Sequence, residues 1–211
     1  MSEITTPLPV QTGLIYVADP MCSWCYGFAP SLTALRERWP ELPMAFVMGG
    51  LRAAGAELTP ALQSQIAHYW QEVGARSGQP FDPAGLARKG WTYTTEPACR
   101  AVVAVRTLDA ERVPAVFEAI QTAFYRDARD TTDPGVLRTI AVETGLDGDA
   151  FDQAFANAVA ATQADFEQVQ AWGIQGFPTL LAHQGEQLSV IARGWLEPAQ
   201  LVERAASVLA R

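Results

Sequence analysis

Two of the chain's three cysteines, Cys22 and Cys25, stand three positions apart in the segment DPMCSWCYGFAP. Three positions is close to one helical turn, so on a helix both thiols face the same side. One can attack a disulfide while the other waits a turn behind to release the product. The same spacing is also half of a zinc site, but zinc needs two more ligands. Only Cys99, His68 and His183 remain, and none has a second ligand at finger spacing. No metal is therefore expected. In a reducing compartment a Cys-x-x-Cys pair is read as redox-active rather than as a structural staple.

Composition narrows the setting. With 211 residues, 49% hydrophobic and 18% charged, the chain can bury a core without disulfides. A formal net charge of -8 argues against nucleic acid or an anionic membrane as partner, since both ask for a basic face. The first residues, MSEITTPLPVQTG, lack a basic stretch followed by a long apolar run, and no segment approaches the length of a membrane span. A cytoplasmic location is the expectation.

The thiols must be positioned by the elements around them. Leu14 to Ala18 is a short apolar run stopped by Asp19-Pro20, which reads as a buried strand entering a turn. After the motif, Phe28, Leu32, Leu35 and Trp39 recur at helical spacing, and Met44 to Met48 is a second strand ended by Gly49-Gly50. Strand, helix, strand makes a βαβ unit, parallel with a right-handed crossover. From Leu58 to Trp172 the periodicity is helical, with helices expected over 60–76, 96–108, 113–126, 134–144, 149–159 and 162–171. Asp133-Pro134 is a cap followed by proline at the first helical position. FPTLLAHQGEQLSVIARGW then reads as two strands joined by a turn around Gln184-Gly185-Glu186, and Glu197-Pro198 opens a last helix.

This order, together with three separated motifs, resembles the DsbA family of thioredoxin-fold proteins, in its FrnE-like, disulfide-isomerase-like branch. The motifs are CSWC at a strand–helix junction with Pro30 five residues past Cys25, GIQGFPTLL with Pro178, and the helical block between the βαβ and ββα units. The resemblance spans nearly the whole chain. It implies an α/β, thioredoxin-like fold (βαβ + ββα) with a large all-helical insertion. The thioredoxin-like domain would be discontinuous, 12–50 and 173–211, around an insertion domain at 51–172. It further implies a kink at Pro30 and a cis bond at Pro178.

The implied activity is thiol–disulfide oxidoreduction, exchanging disulfides with peptide or protein thiols, or with a small thiol. No cofactor is implied beyond the dithiol, with glutathione as an admissible co-substrate. Cys22, at the exposed end of the helix, is the expected nucleophile and Cys25 the resolving thiol. Trp24, Phe177 and Pro178 are the expected substrate-binding residues, with Trp24 pointing outward and forming an apolar lip with Phe177. The dipeptide Ser23-Trp24 departs from the family's proline-histidine and adds no positive charge beside Cys22. Cys99 is read as a reduced, buried small hydrophobe. His68 is placed at the core edge and His183 on the surface, neither with a catalytic task. Tyr69, Trp70, Trp91 and Tyr93 are read as packing in the helical block.

Two other functions fit the architecture. One is a glutathione-dependent small-molecule enzyme related to kappa-class transferases or 2-hydroxychromene-2-carboxylate isomerases. Those usually carry serine where Cys22 stands and lack the second cysteine. The other is a chaperone-like peptide-binding module with a vestigial dithiol, against which intact Cys22, Cys25 and Pro178 argue.

Overall fold

Strand β1 (Thr12–Ala18) is the axis of the molecule in the computed structural model, which describes residues 12–185 and 187–210. The expectations on the segment before Thr12 and on Glu186 lie outside the described residues. β1 pairs in parallel with β2 (Met44–Met48), in register from Leu14↔Met44 to Ala18↔Met48. On its other side it pairs antiparallel with β5 (Thr179–Gln184), which in turn pairs antiparallel with β6 (Gln187–Arg193). The sheet order is β2-β1-β5-β6. A strand with neighbours on both edges and cover on both faces has no use for polar side chains, hence the unbroken apolar run. Alternate residues divide between the faces: Leu14, Tyr16 and Ala18 join the main core, while Ile15 and Val17 join a smaller cluster with Val47, Val169 and Leu181.

Between β1 and β2 the chain forms α1 (Ser23–Gly27) and α2 (Ala29–Arg38). The expected kink is a full break. The Phe28 amide donates to the Cys25 carbonyl at 3.2 Å, and the Phe28 carbonyl accepts from Ser31 and Leu32. Pro30 thus falls in the first turn of α2, where its missing N–H removes no helical bond.

The block between the two halves of the sheet begins with β3 (Ala56–Glu57) and α3 (Pro60–Ser77). α3 is capped by the Thr59 side chain and ended by Gly78 at φ +73. β4 (Thr92–Tyr93) pairs with β3. Helices α4 (Glu96–Leu108), α5 (Val113–Tyr125), α6 (Pro134–Glu143), α7 (Gly148–Asn157) and α8 (Val159–Ala171) follow. The chain closes with α9 (Pro198–Leu209). All six expected helices of the block are present. The division between the last two falls at Ala158, so Val159 opens α8 rather than closing α7.

Helix α4 is the centre of the block. Ala98, Cys99 and every residue from Ala101 to Val105 are buried, so it reads as apolar nearly all round. One continuous hydrophobic cluster contains residues of the sheet, of α1 and α2, and of the helical block. Trp70, Trp91 and Tyr93 are packed in it as expected, whereas Tyr69 is 43% exposed. The histidines reverse their expected places: His68 is exposed, and His183, within β5, is 1% exposed. The reason is that β5 is an inner strand, so a residue at its end is covered by the elements beside it. Among the described residues no helix is long and apolar enough to cross a membrane.

Candidate active site

The turn Asp19-Pro20-Met21 carries the chain from β1 into α1, and Cys22 occupies the N-cap of that helix with extended backbone (φ -92, ψ 116). Its amide donates to the Asp19 carbonyl at 3.0 Å, and its carbonyl accepts from Cys25 and Tyr26 at 2.9 and 3.1 Å. Both thiols are free and buried. Cys22 retains 6% exposure against 1% for Cys25, so the open position expected for Cys22 is not observed. The carbonyl of Phe177, 155 positions away, lies over it and accepts its Sγ–H at 3.7 Å. Burial, and then the Cys22 sulfur beside it, push the Cys25 thiol well above its ordinary pKa. Tyr16 is fully buried beside Cys25, and burial pushes the pKa of its hydroxyl well above the ordinary value.

The Phe177–Pro178 peptide bond is cis. The Pro178 carbonyl accepts the Gly194 amide at 2.7 Å, which brings the β6–α9 connection to the rim of the site. Trp195 follows immediately, its indole Nε1–H donating to the Gly27 carbonyl at 2.9 Å. Trp24 is half-buried and pairs with Trp195 at 6.5 Å between ring centroids. The Phe177 ring instead lies on Gly49, where an added Cβ would collide with it. The two rings expected to form a common lip therefore have separate partners.

Asp19 is the functional-site residue that sequence reasoning did not single out. It is fully buried. Its carboxylate accepts the Met21 amide at 2.8 Å, the Leu51 amide at 2.7 Å and the Cys99 thiol at 3.4 Å. Desolvation raises its pKa despite these bonds. The Tyr93 hydroxyl donates to the Met21 carbonyl at 2.7 Å, so the motif's turn is held from both sides. Cys99 is buried, as expected, but among polar partners; burial, then the nearby Asp19 charge, raise its thiol pKa. An aspartate before a proline at a strand end reads as an ordinary turn residue. Only the approach of α4 shows its second role. Among the described residues no group of three or more His, Cys, Asp or Glu could hold a metal ion.

The profile of the DSBA-like thioredoxin domain matches residues 14–204, nearly the whole chain. The chain belongs to the DSBA-like thioredoxin domain family. Among solved structures, a proposed protein disulfide isomerase from Nitrosomonas europaea is 34% identical, with a TM-score of 0.87 over 95% of this chain and 98% of that one. The cytosolic disulfide reductase DsbM from Pseudomonas aeruginosa is 25% identical, with a TM-score of 0.79 over 94% and 98% of the two chains. The same reductase with GSH matches at 26% identity and a TM-score of 0.78, over 94% and 100%. No curated protein matches the chain. Membership and neighbours together make this DSBA-like chain a thiol–disulfide oxidoreductase by family.

Proposed function

We propose that this DSBA-like protein exchanges disulfides with peptide or protein thiols, or with a small thiol, through Cys22 and Cys25. The reading rests on one observation: two free thiols at the start of α1, with the more exposed Cys22 turned toward the carbonyl that precedes Pro178. The Cys22 thiolate attacks one sulfur of a substrate disulfide. A Cys22–substrate disulfide forms, and the other substrate sulfur leaves as a thiolate that takes up a proton. Cys25 then loses its proton and attacks the Cys22 sulfur, forming the Cys22–Cys25 disulfide and expelling the second substrate thiol. Two electrons have passed to the substrate, and two equivalents of an external thiol such as glutathione return them.

The high pKa of Cys25 suits the order of events, because a protonated resolving thiol leaves Cys22 free to react first. Trp24, Phe177 and Pro178 are the substrate-binding residues of this reading, supported by the Phe177 carbonyl lying over Cys22. No metal or organic cofactor takes part. The likeness to DsbM, named a cytosolic reductase and crystallised with GSH, favours the reducing direction and a cytoplasmic setting.

Trapping tests the roles directly. Cys25→Ser should accumulate a mixed disulfide detectable by mass spectrometry, Cys22→Ser should abolish exchange, and brief alkylation of the parent at neutral pH should label Cys22 before Cys25. Full exchange by Cys22→Ser would reject the mechanism.

A further inference from the structure

We infer that Arg76 is a specificity-determining residue that selects disulfides carrying a carboxylate close to the reacting sulfur, a deepening of the proposed exchange reaction that rests on it. Arg76 lies in the last turn of α3, far from the motif in sequence. Its guanidinium carbon lies 5.2 Å from the centroid of the Trp24 ring and 4.8 Å from that of Trp195. Trp24 is a residue of the Cys-x-x-Cys motif itself. Trp195 is fixed by its bond to the Gly27 carbonyl, and its neighbour Gly194 is bonded to Pro178. Cys22, Phe177, Pro178, Gly194, Trp195 and Trp24 therefore form one continuous rim, and Arg76 is the cation held against it.

Two indoles hold the guanidinium by cation–π attraction while leaving its N–H edge toward water. Its side chain is 52% exposed, and it makes none of the hydrogen bonds among the described residues. Its one carboxylate neighbour among them, Glu72, stands one turn earlier on the same helix at 3.7 Å, with 43% of its side chain exposed. A contact of that length between exposed groups is weak, so the fork of donors remains available to a planar anion. The choice of an anion follows from contrast with the rest of the molecule. A chain with net charge -8 repels acidic substrates at long range, and a cation held over Trp24, a residue of the motif itself, offers them a local attraction. Packing alone would be served as well by an uncharged side chain between the two rings.

The test compares kcat/KM for three disulfides: glutathione disulfide, which is anionic, bis(2-hydroxyethyl) disulfide, which is neutral, and cystamine, which is cationic. Differences in intrinsic reactivity cancel when each ratio is compared between parent and variant. Arg76→Gln should lower the ratio of glutathione disulfide to the neutral probe by about three- to tenfold, the range of one partly exposed charge-assisted contact. Arg76→Glu should lower it further and raise the ratio for cystamine, whereas Arg76→Lys should keep most of the parent's preference. Added salt should erode the preference of the parent and not that of Arg76→Gln. Ratios that stay within twofold of the parent in both Arg76→Gln and Arg76→Glu would overturn the assignment while leaving dithiol exchange standing. A parent inactive toward all three probes would overturn both.

Discussion

The carboxylate of Asp19 is buried among neutral donors, and these partners decide what removing it would do. Asp19→Ala leaves the amides of Met21 and Leu51 without acceptors, at about 1–3 kcal/mol for each group. A fall of this size in urea-derived unfolding free energy is the expected outcome, with slower exchange because the turn before Cys22 is released. Asp19→Asn keeps an acceptor and removes the titration. Since the folded-state pKa of Asp19 is raised, the native state holds this proton more tightly than the unfolded chain does. Its contribution is present below the unfolded pKa and is lost as pH rises through the folded one. The Asp19→Asn variant should therefore gain stability relative to the parent across that window, seen as a rising difference between their pH–stability curves. A flat difference would show that Asp19 titrates normally. Cys99 is a milder case: Cys99→Ala removes one weak S–H donor and a small apolar volume, so about 1 kcal/mol is expected with exchange largely retained.

At the scale of elements, the loop after β2 and the segment before β5 meet where Gly49 faces the Phe177 ring. No side chain fits there unless the ring moves, and the ring belongs to the residue whose carbonyl covers Cys22. Gly49→Ala should thus reduce kcat/KM for disulfide exchange severalfold, with a smaller effect on thermal stability. In the double variant Gly49→Ala/Phe177→Ala the clash is gone, so activity should exceed that expected from adding the two single effects. Strict additivity would mean that the contact does not transmit to the thiol. α4 and α8 meet the edge strand β2 in a similar way. Arg106 pairs bidentately with Asp165 at 2.9 Å and donates to the Phe46 carbonyl at 2.8 Å, while Asp165 accepts the Met48 amide at 2.9 Å. Asp165→Ala would leave the Met48 amide without its acceptor and Arg106 with only the Phe46 carbonyl, for an expected loss of about 1–3 kcal/mol in denaturant unfolding.

Across the whole molecule, one hydrophobic cluster joins the sheet to the helical block. Tyr16 of β1 packs edge-on against both Phe46 of β2 and Phe117 of α5. Tyr26, beside Cys25, stacks on Tyr125 of α5 at 4.8 Å. A core shared in this way unfolds as a unit, so tryptophan fluorescence and far-ultraviolet circular dichroism should follow one coincident urea transition. Two separated transitions would mean that the helical block is independently stable.

What could be read along the chain is what short-range physics controls. Apolar periodicity located β1, β2 and the helices of the block, because side chains three or four apart on a helix, or two apart on a strand, share a face whatever else the chain does. Capping chemistry located the start of α6 at Asp133-Pro134, and the spacing of Cys22 and Cys25 announced the thiol pair. The two-residue strands β3 and β4 carry no periodicity and exist only because Ala56 and Tyr93 are brought together. The same holds for the buried His183, for the bond from Cys99 to Asp19, for the cover of Phe177 over Cys22, and for Arg76 between Trp24 and Trp195. Each links residues distant in sequence, so its formation depends on how finished elements pack against one another. Local sequence determines the elements and places the reactive sulfurs; tertiary packing decides which charges, carbonyls and rings surround them.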